Sequence, residues 1–331
     1  MTVADRILSA VARAAMLPSM RPRLSILIFH RVLPTPDPLF PAEVDAHRFD
    51  HLMGLVARTF EVLPLGEAVR RLQQDDLPAR ALSITFDDGY ADNHDVALPI
   101  LQRHRLPACF FIATGFLDGG RMFNDTVIET VRRSTLSQVD LEQFDLGRCE
   151  LNGAVQRTQV IARVLPLIKY LAPSERPQAL EWLRVACQPS PLPDSLMMTG
   201  AQVRALHRAG MEIGAHTVDH PILNSVDDAC AEQEIIASRS TLERLIGEPV
   251  NLFAYPNGQP DRDYGCRHAD LVRRLGFAAA VSTAVGAAGS GADPYQLPRF
   301  TPWDRRSAPW LARLVARRRE HSFAVAKSAA A

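Results

Sequence analysis

The segment ALSITFDDG, residues 81–89, places a short apolar run directly before two aspartates and a glycine. A run of this length is typical of a strand that is buried in a parallel sheet. The same succession, a strand-like run followed by a polar residue, recurs along the chain. The other examples are LSILIF (24–29) before His30, MEIGA (211–215) before His216, LFAY (252–255) before Pro256 and Asn257, and YQLP (295–298) before Arg299.

The stretches between these runs carry apolar residues at helical spacing, for example in 49–59, 65–74 and 229–246. Strands that alternate with helices indicate parallel βα units, and therefore an α/β fold. In a parallel barrel the catalytic groups lie at the carboxyl ends of the strands. We therefore expect the polar residues that follow the strands to form one site.

Residues 121–195 interrupt this alternation. They contain helical patterns and a proline-rich stretch at 189–193, and they hold no run that resembles a strand. We therefore expect a domain over 24–305 that carries a mostly helical insertion at about 121–195. Residues 1–23 are predicted to form an N-terminal helical segment, and 306–331 a basic, alanine-rich C-terminal tail.

The composition is typical of a soluble globular protein, since 47% of the 331 residues are apolar and 22% are charged. Lysine plus arginine equals aspartate plus glutamate, at 37 each. Without a basic excess we expect no nucleic-acid partner. The five cysteines are scattered and form no CxxC pair, so they are predicted to be reduced thiols.

The N-terminal stretch lacks the pattern of a secretory signal because arginines interrupt it. No stretch reaches the roughly 18 apolar residues of a membrane span. A cytoplasmic location is therefore expected. Residues 4–16 have the pattern of an amphipathic helix, which we interpret as an ordinary docking helix, with peripheral contact to a membrane surface as the alternative.

His216 and His220 are four residues apart, so on a helical turn their imidazoles would share one face and converge on one ion. Such a pair is weak evidence by itself in a chain with 10 histidines. Asp87 and Asp88 repel one another unless a cation or an arginine offsets their charge; the alternative is a solvated turn or a helix N-cap. Two histidines and one carboxylate can hold a catalytic metal, and a second carboxylate can accept a proton from water.

The segment TFDDG (85–89), followed by HTVDH (216–220), resembles the first two motifs of the polysaccharide deacetylase family, which includes chitooligosaccharide and peptidoglycan deacetylases. The flanking segments agree with the family in order and spacing. They are IFHRV (28–32), PACFF (107–111) and FAYPNG (253–258). The resemblance covers residues 24–118 and 197–300.

The resemblance implies a distorted (β/α) barrel, usually of seven strands, and metal-dependent removal of an acetyl group from an N-acetylated sugar. The sugar would be part of a polysaccharide, an oligosaccharide, or a lipid-linked or nucleotide-linked precursor. The expected metal is Zn²⁺, although Co²⁺, Ni²⁺ or Mn²⁺ would fit the same donor set. By position, the implied roles are Asp87 as general base, Asp88, His216 and His220 as metal ligands, the Asn257 N–H as oxyanion donor, and Tyr255 and Pro256 as substrate contacts.

Two departures from the family pattern concern catalysis. Many members begin the third motif with an arginine that orients the base, whereas this chain has Ala254. Arg299 is the candidate replacement, and the alternative is an ordinary surface arginine. Many members also carry a late Leu-x-His motif whose histidine protonates the leaving amine, and this chain has none. His30 is the candidate for that role, with a structural residue near the metal as the equal alternative.

Two other functions also agree with the sequence. The missing motifs leave room for a hydrolase of a non-sugar amide or cyclic ureide on the same scaffold. A barrel that binds carbohydrate without catalysis is a further alternative. The intact set of Asp87, Asp88, His216 and His220 argues against it, because a site without activity is free to lose such residues.

Overall fold

The computed structural model describes residues 3–16, 22–171, 174–302, 304, 306–320 and 322–327. Residues 1–2 and 17–21 of the predicted N-terminal segment, and 321 and 328–331 of the predicted tail, lie outside the described residues. The helices are α1 (Val3–Ala15), α2 (Ala46–Thr59), α3 (Leu65–Gln73), α4 (Leu98–His104), α5 (Phe123–Arg132), α6 (Ala154–Lys169), α7 (Arg176–Cys187), α8 (Gly200–Arg208), α9 (Asp228–Ile246), α10 (Cys266–Arg274) and α11 (Ser307–Arg317). The strands are β1 (Ser25–Phe29), β2 (Glu61–Val62), β3 (Ala81–Phe86), β4 (Cys109–Ile112), β5 (Gln138–Asp140), β6 (Arg148–Glu150), β7 (Glu212–Ala215), β8 (Leu252–Ala254), β9 (Ala279–Val285) and β10 (Leu297–Arg299).

Seven parallel strands form a barrel in the order β1-β3-β4-β7-β8-β9-β10, and β2 pairs with β3 outside this path. The ring closes between β1 and the residue after β10. There the Ile28 N–H donates to the Phe300 carbonyl at 3.1 Å, and the Phe300 N–H donates to the Ile26 carbonyl at 2.7 Å. The predicted seven-stranded, distorted (β/α) barrel is thus confirmed.

The apolar runs of the sequence form the buried strands of the barrel. All six residues of β3 and all five of β1 are buried, as expected for strands covered on both faces. The ring of Phe86 stacks on Phe110 at a centroid distance of 4.7 Å and on Phe29 at 5.4 Å. Since Phe29 and Phe86 are paired in register, His30 and Asp87 leave neighbouring strands at the same level.

Helix α9 illustrates how the outer layer is anchored. It begins after Asp227, whose side chain accepts the Cys230 N–H at 2.8 Å, and it ends at Gly247 in the left-handed conformation (φ 75°). Its buried residues recur at intervals of three or four positions, as expected for one face of a helix, and are Ala231, Ile235, Ser238 and Leu242. One face therefore packs on the barrel, and Glu234 lies beside it.

The chain divides into two compact units. The first is drawn from Met1–Thr35, Val44–Leu117 and Met198–Ala331 and contains the barrel. The second is drawn from Pro36–Glu43 and Asp118–Met197, close to the predicted insertion at 121–195.

The second unit differs from its predicted composition in two respects. Besides α5, α6 and α7 it contains a short antiparallel pair, β5 and β6, in a stretch that was predicted to be mostly helical and that shows no strand-like run in its sequence. Each strand is three residues long with one buried residue, Val139 or Cys149, which is too short for a recognisable apolar run. The unit also includes Asp37, whose carboxylate accepts two hydrogen bonds from Arg132 at 2.9 and 2.6 Å.

The predicted C-terminal tail is largely helical and packed where it is described. Helix α11 buries Trp310 and Leu314 in the main hydrophobic cluster. Beyond it, the buried Arg318 donates to Ser25 Oγ at 2.8 Å and to the Ala81 carbonyl at 2.9 Å, at the first residues of β1 and β3. This arginine therefore ties the C-terminal segment to the amino end of the barrel. Among the described residues, no helix is both long enough and apolar enough to cross a bilayer.

Candidate active site

Asp87 and Asp88 follow directly after β3, where the chain turns sharply away from the barrel. The Asp87 N–H donates to the Phe29 carbonyl at 2.9 Å, which continues the pairing of β1 and β3 by one residue. Asp88 has φ 77°, a left-handed conformation that costs free energy for a residue with a Cβ. Strained backbone of this kind persists where surrounding structure enforces it, and it clusters at functional sites.

The segment 216–220 after β7 is a loop, so the expected helical turn is absent there. Thr217 (φ 64°) and His220 (φ 53°) both adopt the left-handed conformation. The resulting fold of the loop brings the two rings together without a helix. His216 Nε2 lies 3.1 Å from His220 Nε2, and each lies 3.4 Å from Asp88 Oδ1.

The orientation of the His216 ring is fixed by a hydrogen bond on the side of the ring that faces away from the cluster. Its Nδ1 lies 2.7 Å from the Ala254 carbonyl, an acceptor, so Nδ1 carries the proton and donates. The lone pair of Nε2 is therefore directed towards Asp88 and His220, which is the usual arrangement of a histidine that ligates a metal.

Asp88, His216 and His220 fit a metal site by their donor atoms and spacing. Ligand atoms that bind one ion at about 2.0–2.2 Å lie about 3.0–3.5 Å from one another when the angle between two metal–ligand bonds is about 90–109°. The separations of 3.1 and 3.4 Å fall in this range. His216 and Asp88 are buried and His220 is 16% exposed, so the cluster opens on the His220 side.

The electrostatics of the cluster favour a positive charge between Asp88, His216 and His220. Burial lowers the pKa of His220 to about 4, so its ring is neutral and free to act as a ligand. Burial would raise the pKa of Asp88, but the contact with His216 and the neighbouring imidazoles hold that pKa below its usual value. Asp88 also raises the pKa of His216 against the effect of burial. A proton or a metal cation can supply this charge.

Arg299, at the end of β10, forms a buried ion pair with Asp87. Its Nη1 donates to Oδ1 at 2.7 Å and its Nη2 to Oδ2 at 2.6 Å, while its Nε donates to the Ser282 carbonyl at 2.8 Å. Burial alone would raise the pKa of Asp87, but the charge of Arg299 outweighs it and keeps that pKa lowered. The alternative of a surface arginine does not hold, since the side chain is fully buried.

His30 lies at the end of β1 and is exposed. Its carbonyl accepts a hydrogen bond from Asn93 Nδ2 at 2.8 Å. Its ring is close enough that its charge contributes to lowering the pKa values of Asp87 and Asp88. His30 thus follows β1 one position after the Phe29–Phe86 pair, at the level where Asp87 follows β3.

Asn257 occupies the loop after β8 with φ 58°. Its carbonyl accepts from Thr283 Oγ1 at 2.8 Å, which fixes the peptide plane on one side. Its N–H has no acceptor within the described residues and is free to donate to a ligand. Gly258 (φ 69°) is required next to it, since a Cβ there would approach Thr283 N and Tyr255 O to 3.0 Å.

Tyr255 and Pro256 are placed differently from the prediction that both contact substrate. Tyr255 is fully buried, its ring stacks on Tyr264 at a centroid distance of 3.9 Å, and its hydroxyl donates to the Tyr295 carbonyl at 2.9 Å. Its aromatic surface is therefore taken up by core packing, which corrects the expected substrate contact of its side chain. Pro256 is also buried, at the start of the Asn257 loop.

Glu234 is a residue of this region that the sequence did not reveal. From α9 its Oε2 accepts the N–H groups of Val218 at 2.8 Å and Asp219 at 2.9 Å, inside the histidine loop. On the other side of the loop, the Gly115 N–H donates to the Val218 carbonyl at 2.9 Å. The loop that carries both histidines is thus held from two directions. No sequence signal distinguishes a mid-helix glutamate with this role from a solvated one.

Comparison with known proteins adds an independent result. The family model described as polysaccharide deacetylase matches residues 74–140 and 189–280. The Bacillus subtilis (strain 168) protein YxkH, named as a polysaccharide deacetylase, is 27% identical over 143 residues, which are 41% of this chain and 47% of that protein. The match thus spans about half the length of this relative.

Several solved structures are similar to this one. The Streptococcus pyogenes deacetylase PplD in complex with acetate aligns with a TM-score of 0.61 and 18% identity, over 89% of this chain and 99% of that chain. IcaB from Ammonifex degensii aligns with a TM-score of 0.55 and 17% identity, over 89% of this chain and 97% of that chain. At this identity the likeness establishes the fold.

Proposed function

Because this chain belongs to the polysaccharide deacetylase family, we propose that it is a metal-dependent hydrolase that removes the acetyl group from an N-acetylated carbohydrate and releases acetate. One observation carries the proposal. A buried carboxylate held by an arginine, Asp87, adjoins a triangle of possible ligand atoms from Asp88, His216 and His220.

Asp88, His216 and His220 would hold the metal. When bound there, a divalent cation such as Zn²⁺ polarises the amide carbonyl and lowers the pKa of an attacking water. The same donor set accepts Co²⁺, Ni²⁺ and Mn²⁺. The contacts of Glu234 with the loop hold the two histidines in place. Metal binding would therefore require little reorganisation of this loop.

Asp87 would serve as the general base. Its lowered pKa keeps it ionised at neutral pH, and the two hydrogen bonds from Arg299 fix the plane of its carboxylate. It accepts a proton from water while the water oxygen bonds to the acetyl carbon. The pair with Arg299 also offsets the free-energy cost of a buried carboxylate.

Two further steps of the reaction are stabilisation of the oxyanion and protonation of the leaving amine. The Asn257 N–H can donate to the oxyanion that develops on the carbonyl oxygen. The bond between the acetyl carbon and the sugar nitrogen then breaks, and the leaving amine takes a proton. His30 is the proposed donor of that proton, because it is exposed and follows β1 at the level where Asp87 follows β3. The products are acetate and an amino sugar.

The buried pair of Asp87 and Arg299 also bears on the alternative of a non-sugar amide or cyclic ureide. The apparent loss of the arginine that orients the base was one reason to consider that alternative. Since Arg299 supplies the same contact from another strand, this reason no longer applies.

An acetate-release screen tests the proposal. N-acetylglucosamine oligomers, lipid-linked and nucleotide-linked N-acetyl sugars, and cyclic ureides are offered to the metal-loaded chain. We expect acetate from at least one N-acetylated carbohydrate, and we expect a chelator to abolish the release. Turnover of a ureide without acetate release, or release that a chelator leaves unchanged, would contradict the proposed function.

A further inference from the structure

Helix α1 exposes a row of large aliphatic side chains. Val3 is 74% exposed, Ile7 60% and Val11 61%, and their spacing of four residues places them on one side of the helix. Exposed alanines widen this side; they are Ala4, Ala10 and Ala14. We call these six residues the outer face of α1.

The opposite side of α1 already packs against the protein. Asp5, Ser9 and Ala12 are buried there, and the Asp5 carboxylate lies 3.6 Å from His51 Nε2 of α2. The apolar contacts of α1 on that side come from Leu8, Ala12, Ala15 and Met16, which pack in the main hydrophobic cluster. The β-branched residues Val3, Ile7 and Val11 lie outside this cluster and face outward.

The charges on α1 are of one sign where they reach solvent. Arg6 and Arg13 are exposed, lie together along one border of the outer face, and form no ion pair within the described residues. The acidic residue of α1, Asp5, is buried on the other side. The outer face of α1 is thus an apolar surface bordered by cations. It is complementary to a surface that carries anionic groups above an apolar layer.

The size of the outer face argues against a second copy of the chain as its partner. A helix of 13 residues is about 20 Å long, and a face about 10 Å wide covers about 200 Å². A stable interface between two proteins buries about 800 Å² on each partner. A bilayer sets no such minimum, since aliphatic side chains enter its interfacial layer individually and arginines pair with lipid phosphates.

We propose that the outer face of α1 docks on a bilayer that contains anionic lipid. Val3, Ile7 and Val11 enter the boundary between headgroups and acyl chains, and Arg6 and Arg13 reach the headgroup phosphates at its border. The protein would lie on the surface, since the described helices are not suited to cross it.

Co-sedimentation of the full chain with vesicles tests this proposal. Vesicles of phosphatidylcholine are compared with vesicles that also contain phosphatidylglycerol. We expect binding to the anionic vesicles that weakens with added salt. Ile7→Gln/Val11→Gln should weaken it at least about tenfold, and Arg6→Gln/Arg13→Gln about 25-fold.

The controls carry the same changes on other surfaces. Val155→Gln alters an aliphatic residue that is 65% exposed on α6, and Arg208→Gln/Arg274→Gln removes two exposed arginines of other helices. Both should bind like the unchanged chain. The proposal is overturned if the chain does not sediment with anionic vesicles, or if the α1 variants bind as well as the controls. It is also overturned if light scattering detects a dimer that only the Ile7→Gln/Val11→Gln variant disrupts.

Discussion

The guanidinium of Arg299 donates two hydrogen bonds to the carboxylate of Asp87, from Nη1 to Oδ1 at 2.7 Å and from Nη2 to Oδ2 at 2.6 Å, in a buried ion pair. The two residues are 212 positions apart and leave different strands of the barrel. This contact both orients the proposed base and keeps it ionised, so several properties of the site depend on it.

Removal of the Arg299 charge should raise the pKa of Asp87, because burial would then act without its counter-charge. In the unchanged protein the base is ionised above its lowered pKa, and activity falls only as the pH drops through that value. In Arg299→Met the acid limb of the pH–rate profile should move to higher pH by about one to three units. Arg299→Lys keeps the charge and should shift it less. An unmoved acid limb in a folded Arg299→Met protein would be inconsistent with the assigned base.

Loss of a ligand should empty the metal site. We expect the purified chain to hold about one divalent ion, by the three-ligand geometry of the site. Asp88→Asn and His216→Ala should hold far less by elemental analysis at the same metal concentration. His47→Ala, which changes an exposed histidine outside the cluster, should keep the full amount. Equal metal content in all four proteins would show that the cluster is not the site.

Glu234 should affect metal binding without touching the metal. Glu234→Ala leaves the N–H groups of Val218 and Asp219 without their acceptor and loosens the histidine loop. We expect metal affinity, measured by competition with a chelator, to fall about 10–100-fold. Glu234→Gln should restore part of it, since an amide oxygen also accepts. Glu232→Ala, an exposed change on the same helix, is the control and should bind metal normally.

Gly214 should be required for barrel stability. It lies opposite Phe111 in the pairing of β4 and β7, and a Cβ at this position would lie on the Phe111 ring. Gly214→Ala should destabilise the fold by about 1–3 kcal/mol and lower Tm by several degrees. In Gly289→Ala the nearest atom is the flexible end of Arg23 at 3.4 Å, and Tm should change little. Similar Tm values for both variants would refute this packing argument.

His30 should be needed for release of the amine, because the leaving sugar nitrogen takes its proton from this residue in the proposed reaction. His30→Gln should therefore lower kcat while the metal content stays unchanged. A folded His30→Gln protein with an unchanged kcat would show that the proton donor lies elsewhere.

The barrel could be predicted because each of its strands is signalled by a short contiguous stretch of sequence. Strands β1 and β3 are short, mostly apolar runs that are buried throughout, and each is followed directly by a polar residue of the site, His30 or Asp87. The register of Phe29 with Phe86 then brings His30 and Asp87 to one level, as the succession of runs predicts.

The features that were missed depend on contacts between distant residues or on backbone conformation. Thr217 and His220 are not residues that signal a left-handed turn, so their spacing predicts a helical turn where the structure has a loop. Asp37 meets Arg132 across 95 positions, which no local pattern reveals. The burial of Tyr255 results from its stacking on Tyr264, whereas its position beside the third motif suggested exposure to substrate.

The rate of acetate release by Asp87→Asn tests the central claim most directly. The amide has nearly the size of the carboxylate but cannot take a proton from water. With N-acetylated oligosaccharide and saturating Zn²⁺, we expect the unchanged chain to release acetate and Asp87→Asn to be about 10²–10⁴-fold slower. Release by Asp87→Asn at the rate of the unchanged chain would contradict the assignment of Asp87 as the base of a metal-dependent deacetylase.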